Sequence, residues 1–452
     1  MKKISSIIVF ICSAGTLFGQ VDFDRPEAFL FERKNRLSYV SPEVYVFHAD
    51  SEKVQMKSKK IRFVVLSQEL NYAGYFSAYG AGYVNSNSLT NAFFKSYSYT
   101  KSYIDDDMKQ QQVDRFKKSN TVGSDIKVGV YGQYKFNTIR VEAGLMYRDF
   151  NSAQFSSDAF KLLFYGNSMY AGQTASLDPM NMHNVNYQTV YMGIKKTVGK
   201  KQNIQLGARL GVVRGGRLQK IRSKNASLYT DSAGGYLTLN GKFDVAYTDD
   251  TVYARVPQMH GGGLTSDYFF SIKGKRSEFA VELLDVGFIR WNDITTFSGD
   301  GSYTYDGVQI DNLIGGGNGI QLDPVSFTTV LENMGVKKNV KDVSYMLPST
   351  LHLSYYRHLS PNVTVTGGVR QQFVRGYMPR IYGKLAYYLT KDFVLIPTLS
   401  YGGFGRADVE FGIAKTFSDH VVVSTNLMWF EYLVAPSKTS GHGMSVAFSY
   451  YF

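Results

Sequence analysis

Residues 125–148 read DIKVGVYGQYKFNTIRVEAGLMYR. Ile126, Val128, Val130, Tyr134 and Phe136 share one parity, and Lys127, Tyr131, Gln133 and Lys135 share the other. Beyond Asn137-Thr138 the alternation resumes, with Ile139, Val141, Ala143, Leu145 and Tyr147 set against Arg140, Glu142, Gly144, Met146 and Arg148. Side chains of a β-strand point to opposite faces in turn, so a period of two with charges on one parity marks strands that have a greasy side and a wet side. Two such runs joined by two turn residues are a hairpin.

The same pattern repeats outward from this hairpin, around the turns KKTVGKKQN, KGKRSE, HLSPN, YLTKD and TFSDH. Candidate strands begin near Tyr72, Asp125, Thr138, Asn186, Asn203, Gly263, Glu278, Leu347, Asn362, Met378, Asp392, Ala407, His420 and Gly441. That is about fourteen strands, an even number, as single-chain bacterial barrels have. Short turns fall on one side of the pattern. The longer connections, 85–123, 150–185, 214–262, 290–346, 371–377, 402–406 and 432–440, fall on the other. Short periplasmic turns and long external loops belong to outer-membrane barrels. The expected fold is therefore all-β: a transmembrane antiparallel barrel over residues 71–452, with long extracellular loops and an N-terminal plug or hatch.

Both chain ends agree with export. MKKISSIIVFICSAGTLFGQ has a basic start, an apolar run and small residues before Gln20, the plan of a signal peptide over residues 1–19. The chain has one cysteine, Cys12, inside that run, so removal of the segment excludes disulfides and thiolate chemistry. At the other end Met444, Val446, Phe448, Tyr450 and Phe452 share one parity of a final strand, opposite small residues. A bare strand edge is intolerable in lipid, so this strand is expected to pair with the first. Its apolar, aromatic-ended face is a candidate signal for the barrel-insertion machinery.

Composition points the same way. Aromatic residues make up 15% of the chain, including 34 Tyr and 31 Phe, while the mean hydropathy is only −0.19. A barrel turns every second residue inward, so modest hydropathy is compatible with spanning a membrane. The net charge of +13 fits a basic lumen or contact with anionic outer-membrane lipid, and nucleic acid is not an expected partner of an exported protein.

Some stretches break the pattern. Pro397 removes a ladder donor inside Phe393–Tyr401, so a bulge or local break is expected there. Leu283-Leu284 shifts the apolar parity, which also reads as a bulge. Residues 219–256 read as a hairpin standing outside the membrane, with two further wall strands as the alternative. Residues 20–70 are expected to form a periplasmic arm or a lumen plug. Residues 102–118, SYIDDDMKQQQVDRFKK, open with Ser-x-x-Asp and continue as a short helix in or over the barrel mouth. Asp105, Asp106 and Asp107 lack the spacing of a calcium loop.

Parity also assigns the interior. Asp125, Lys127, Arg140, Glu142, Arg148, Arg209, Asp267, Glu282, Arg370, Lys384 and Glu410 are expected to face one lumen, either pairing across strands or lining a path for a solute. No catalytic, cofactor-binding or metal set assembles from the sequence. There is no Gly-x-Ser-x-Gly elbow, and His260-Gly261-Gly262-Gly263 reads as a flexible return into a strand. His352 and His358 share the inward parity of one strand, where lumen polarity accounts for them. The expectation is a non-enzyme without cofactor.

The stretches IDDDMKQQQ, IRVEAGLMYRDF, GIKKTVGKKQNIQLGARLGVVRGG and FAVELLDVGFIRWN resemble an uncharacterised family of outer-membrane barrels common in the Bacteroidota. Within them Gly207-Ala208-Arg209-Leu210 with Gly215, and Leu284 to Trp291, are the most telling pieces. The N-terminal part departs, with Ser41-Pro42-Glu43 where the family tends to show Asn-Pro-Ala. More remotely the plan is similar to FadL-type transporters of hydrophobic compounds. That resemblance implies passive movement of a hydrophobic or amphipathic small molecule. The alternative is a barrel scaffold whose loops 150–185 and 290–346 hold an envelope protein partner. Tyr147, Phe150, Phe288, Trp291, Phe373, Tyr377, Trp429 and Phe430, near the outer strand ends, are candidates for an apolar entrance.

Overall fold

A computed structural model of the chain describes residues 73–100, 102–199, 203–248, 261–274, 276–306, 327–360, 362–390, 392–417 and 420–452. The signal peptide and the 20–70 arm or plug expected from sequence lie outside the described residues, as does His260. The strands are β1 (Gly74–Ser86), β2 (Asn120–Phe136), β3 (Ile139–Phe155), β4 (Thr174–Ser176), β5 (Asn181–Val198), β6 (Ile204–Thr230), β7 (Leu237–Tyr247), β8 (Gly261–Lys273) and β9 (Ser277–Tyr305). They continue with β10 (Lys337–Met346), β11 (Thr350–Ser360), β12 (Val363–Gln372), β13 (Met378–Tyr388), β14 (Phe393–Gly403), β15 (Ala407–Phe417), β16 (Val421–Met428) and β17 (Gly441–Tyr451).

Fourteen of these strands form the wall, all but β4, β7 and β10. Each wall strand pairs antiparallel with the next, and β1 closes the ring on β17 from Tyr75↔Tyr451 to Asn85↔Gly441. At the seam Gly74 and Phe452 exchange backbone bonds of 3.0 and 3.1 Å. Closure leaves no strand edge for lipid to meet. The strand starts expected from parity lie within a few residues of those observed.

Alternation explains the two faces. Val128, Val130, Tyr134 and Phe136 are exposed on β2, as are Val190, Met192 and Ile194 on β5 and Phe411 on β15. Together with their counterparts they form an apolar belt around the outside, the lipid-facing surface of a membrane barrel. The tight turn after β2 has Asn137 at φ +53°, a conformation Asn tolerates better than most residues.

Strands β11 to β17 have 8–11 residues, about what a tilted crossing needs, whereas β6 and β9 have 27 and 29. The outer parts of β6 and β9 therefore stand beyond the membrane, where β7 slots between them. The 219–256 stretch, as far as it is described, is thus the external hairpin and adds no wall strand. Beside it β10 pairs with β9, and a short helix (Phe327–Asn333) contributes Leu331 to a buried cluster with Phe243, Val245 and Phe297.

The helix expected at 102–118 spans Asp106–Val113. Its cap is Asp105, whose Oδ1 accepts from the Met108 amide at 2.7 Å, and not Ser102. Acidic residues in its first turn suit the helix dipole. The connection that carries it is tied to the 435–441 loop: Arg115 donates to Lys438 O at 3.1 Å and to Ser440 Oγ at 2.5 Å.

Both expected irregularities are present. The β8–β9 register shifts between Ser266 and Tyr268, opposite Val286 and Leu283, and Asp285 takes φ +55°. At Pro397 the β13–β14 ladder lacks pairs between Lys384↔Thr398 and Tyr387↔Leu395, with no register shift, while pairing to β15 continues through Pro397↔Phe411. Pro397 makes a local break, with its missing donor facing β13.

Candidate functional site

The lumen is filled in layers, clearest over β2 to β9. Nearest the short-turn end, Glu142 is buried and receives Arg209 Nε, Lys195 Nζ at 3.2 Å and Gln133 Nε2 at 3.3 Å. The Arg209 guanidinium lies 4.6 Å from the Phe269 ring centre and 5.1 Å from that of Tyr191. Such stacking favours a cation held out of water.

One step outward lies a small polar chamber whose lining includes Tyr131, Met146, Tyr191 and Leu284 together with the charged Lys127, Arg209, Asp267 and Asp285.

Above it sits Arg148, fully buried. Its Nε and Nη2 grip the two Asp125 oxygens at 2.8 and 2.7 Å, a bidentate pair between adjacent strands. Its Nη1 reaches Asp285 at 2.5 Å, with Tyr187 Oη and Pro348 O each at 3.3 Å. Asp285 is the bulge residue of β9, and its own amide is fixed by Asp267 Oδ1 at 2.7 Å. Lys127 Nζ stands 3.9 Å from the same Asp285 oxygen.

The outermost layer is apolar. Phe150, Val185, Val213, Leu218, Ile289, Trp291, Leu347, Tyr377 and Phe404 form one buried cluster, drawn from strands and inward-turned loops around the mouth. The Trp291 ring occupies the space over Gly215, where a Cβ would come within 2.5 Å of it.

A second group stands on β13 to β16. Arg380 joins Glu410 and Asp408, the latter at 2.6 Å, and Asn426 donates to Glu410 at 2.7 Å. Asp408 also caps the Trp429 amide at 2.7 Å. On β9 and β11, Glu282 accepts from His352 Nδ1 at 3.1 Å while His352 Nε2 meets Tyr382 Oη at 2.7 Å. His358, on the same strand, bonds to Thr364 at 2.9 Å instead, so the two histidines belong to separate contacts.

Of the interior charges read from parity, Asp125, Lys127, Glu142, Arg148, Arg209, Asp267, Glu282 and Glu410 enter these groups. Arg370 is buried on β12, in register with both His352 and Arg380. Arg140 and Lys384 are half-buried, with Lys384 Nζ 5.9 Å from the Tyr382 ring centre. The sequence reading missed Lys195, Arg380, Asp408 and Asp285. Arg380 and Asp408 share strand and parity with Lys384 and Glu410, which it did place inside, whereas on β5, the strand of Lys195, it placed none. Asp285 stands on the wrong parity and reaches the lumen only through the bulge.

The aromatic residues proposed as an entrance divide: Phe150, Trp291, Tyr377 and Trp429 are buried inside, while Phe288, Phe373 and Phe430 are exposed. They do not form one site. Met444, Val446, Phe448, Tyr450 and Phe452 lie on the outward parity of β17 and its end. Among the described residues no cluster of His, Cys, Asp or Glu is arranged to hold a metal ion.

A family model, described as a family of unknown function (DUF5723), matches residues 71–418. The chain belongs to this family. Three stretches that carried the sequence resemblance converge on the lumen: Glu142 and Arg148 from one, Lys195, Arg209 and Gly215 from another, Glu282, Asp285 and Trp291 from the third. For this DUF5723 protein no curated protein matches.

Among solved structures it is similar to the Pseudomonas putida toluene transporter TodX, at 10% identity over 84% of this chain and 88% of that one, with a TM-score of 0.41. A Pseudomonas aeruginosa FadL homologue shares 8% identity over 84% and 89% of the two chains, at 0.38. The translocator domain of the Neisseria meningitidis autotransporter NalP shares 9% over 85% and 90%, at 0.33. The closed, belted wall makes the DUF5723 chain an outer-membrane β-barrel.

Proposed function

We propose that the barrel moves a hydrophobic or amphipathic small molecule across the outer membrane, through a lumen that is gated and not open. The observation that supports this reading is the stacking of the interior. An apolar layer around Trp291 lies at the outer mouth, over a layer of paired charges that includes Arg148, Asp125 and Asp285, with a polar chamber beneath. An apolar solute meets matching chemistry at the mouth, while ions meet charges that are already paired. No catalytic role enters this reading. Residues 20–70 are proposed to add to the obstruction or to form a periplasmic arm. The interior charges are proposed to lock the wall at rest and to line the path when it opens.

The test is flux. Purified full-length protein in planar bilayers is expected to show little steady ion conductance, yet to speed entry of a small aromatic hydrocarbon into liposomes. Large stable pores would overturn the gate, and hydrocarbon entry equal to that of protein-free liposomes would overturn transport.

A second reading, a scaffold that holds a protein partner in an envelope complex, has support in β10. That strand pairs with β9 alone among the described residues, and most of it is exposed. Co-purification of a stoichiometric partner, lost when 290–346 is shortened, would favour the scaffold.

A further inference from the structure

The wall strand β16 stops short of its neighbour. Its ladder to β15 runs from Phe417↔Val421 only as far as Phe411↔Leu427, so residues 407–410 of β15 have no strand partner on that side among the described residues. The chain that follows β16 folds back over this notch. Trp429, at φ +50°, turns inward: it is buried, its ring centre lies 5.6 Å from the Arg380 guanidinium, and its amide donates to Asp408. The next residue goes the other way. Phe430 packs on the outer face against Phe411 of the apolar belt, with ring centres 5.8 Å apart. The Val409 amide, beyond the end of the β15–β16 ladder, then donates to Glu431 Oε2 at 3.3 Å.

These contacts fix one turn of 3₁₀-helix (Phe430–Leu433) against the outer end of the wall. Val409 is in register with Leu399 on β14, and both are exposed on the outward parity, so the wall faces lipid at this height. Beside them the turn and the residue after it present Leu433, 64% exposed, and Val434, 80% exposed. The carboxylate of the turn, Glu431, is held on the Val409 amide, and polar side chains return only at Ser437 and Lys438. An apolar patch of this kind extends the area that acyl chains remove from water.

We infer that residues 430–434 are a lipid-contact surface, lying on the acyl chains of the outer leaflet and covering the wall where β16 ends. The occupant is lipid because the patch is continuous with the lipid-facing belt through the Phe411–Phe430 contact. One turn thus meets the membrane with Phe430, Leu433 and Val434 and the lumen with Trp429.

The experiment places a nitrobenzoxadiazole label at single cysteines in full-length protein reconstituted into phosphatidylcholine liposomes. The variants are Leu433→Cys, Val434→Cys, Leu399→Cys and Tyr103→Cys, each with Cys12→Ser. Leu399 on the belt is the lipid reference, and Tyr103, exposed on the external connection between β1 and β2, is the water reference. Heat-modifiable mobility confirms that each labelled variant is folded. Nitroxide carried on the lipid acyl chains is expected to quench the labels at 433 and 434 as it quenches the label at 399, with the same blue shift of emission. Iodide in the water should quench mainly the label at 103. Labels at 433 and 434 that behave like the one at 103 overturn the inference. Labels shielded from both quenchers would assign the patch to a protein cover, such as a second copy of this chain, and overturn it as well.

Discussion

Arg148 on β3 and Asp285 on β9, four wall strands apart, meet at 2.5 Å inside the lumen. The pair joins distant parts of the wall, and Asp125 holds the other edge of the guanidinium. Asp285→Ala would leave a buried arginine with one carboxylate fewer. A cost on the order of 3–5 kcal/mol is expected. It should appear as a lower temperature for loss of the folded band in semi-native gels. An unchanged temperature would mean that the pair does not brace the wall.

The same variant should affect permeability. With the Arg148 layer loosened, ion conductance in planar bilayers is expected to rise above wild type, and Asp285→Asn should fall between the two. Conductance that stays at baseline in Asp285→Ala, in protein shown to be folded, would place the barrier elsewhere in the lumen.

Gly215 and Trp291 make a paired test of the apolar layer. Gly215→Val puts branched carbon where the indole lies and should destabilise by about 1–3 kcal/mol through overpacking. Adding Trp291→Leu to that variant should recover part of the loss. Two additive penalties would show that the residues do not share that space.

Pro397 breaks one ladder without shifting its register. Pro397→Val restores a donor opposite Leu385, and the β13–β14 segment should then exchange its amide hydrogens more slowly. A net gain of about 1 kcal/mol is the upper expectation, since proline also limits the unfolded chain. Unaltered exchange around Leu385 would assign the break to something other than the missing N–H.

Phe452 ends the strand that closes the ring, and its backbone bonds to Gly74 sit at the seam. Deleting it, or Phe452→Asp, should reduce the amount of heat-modifiable barrel in outer-membrane fractions. Wild-type amounts would argue against a role in insertion.

Much of this was legible in the sequence, and for a physical reason. Period two decides which residues face lipid and which face inward, so the strand positions, the wall count and most of the lumen charges follow from local alternation. Turn length gave the two ends of the barrel, because a tight antiparallel connection needs only a few residues. What alternation does not encode is which inward residues meet across the lumen. Glu142, Lys195 and Arg209 come together through strand register. Arg148 and Asp285 come together through ring closure and a bulge, two events that no local pattern contains. Asp285 is the clearest case: its parity points it away from the lumen, and one extra residue in β9, with Asp285 itself at positive φ, turns it back in. The interior layers were decided by the tertiary structure alone, because each is a relation between side chains that meet only when the sheet has closed.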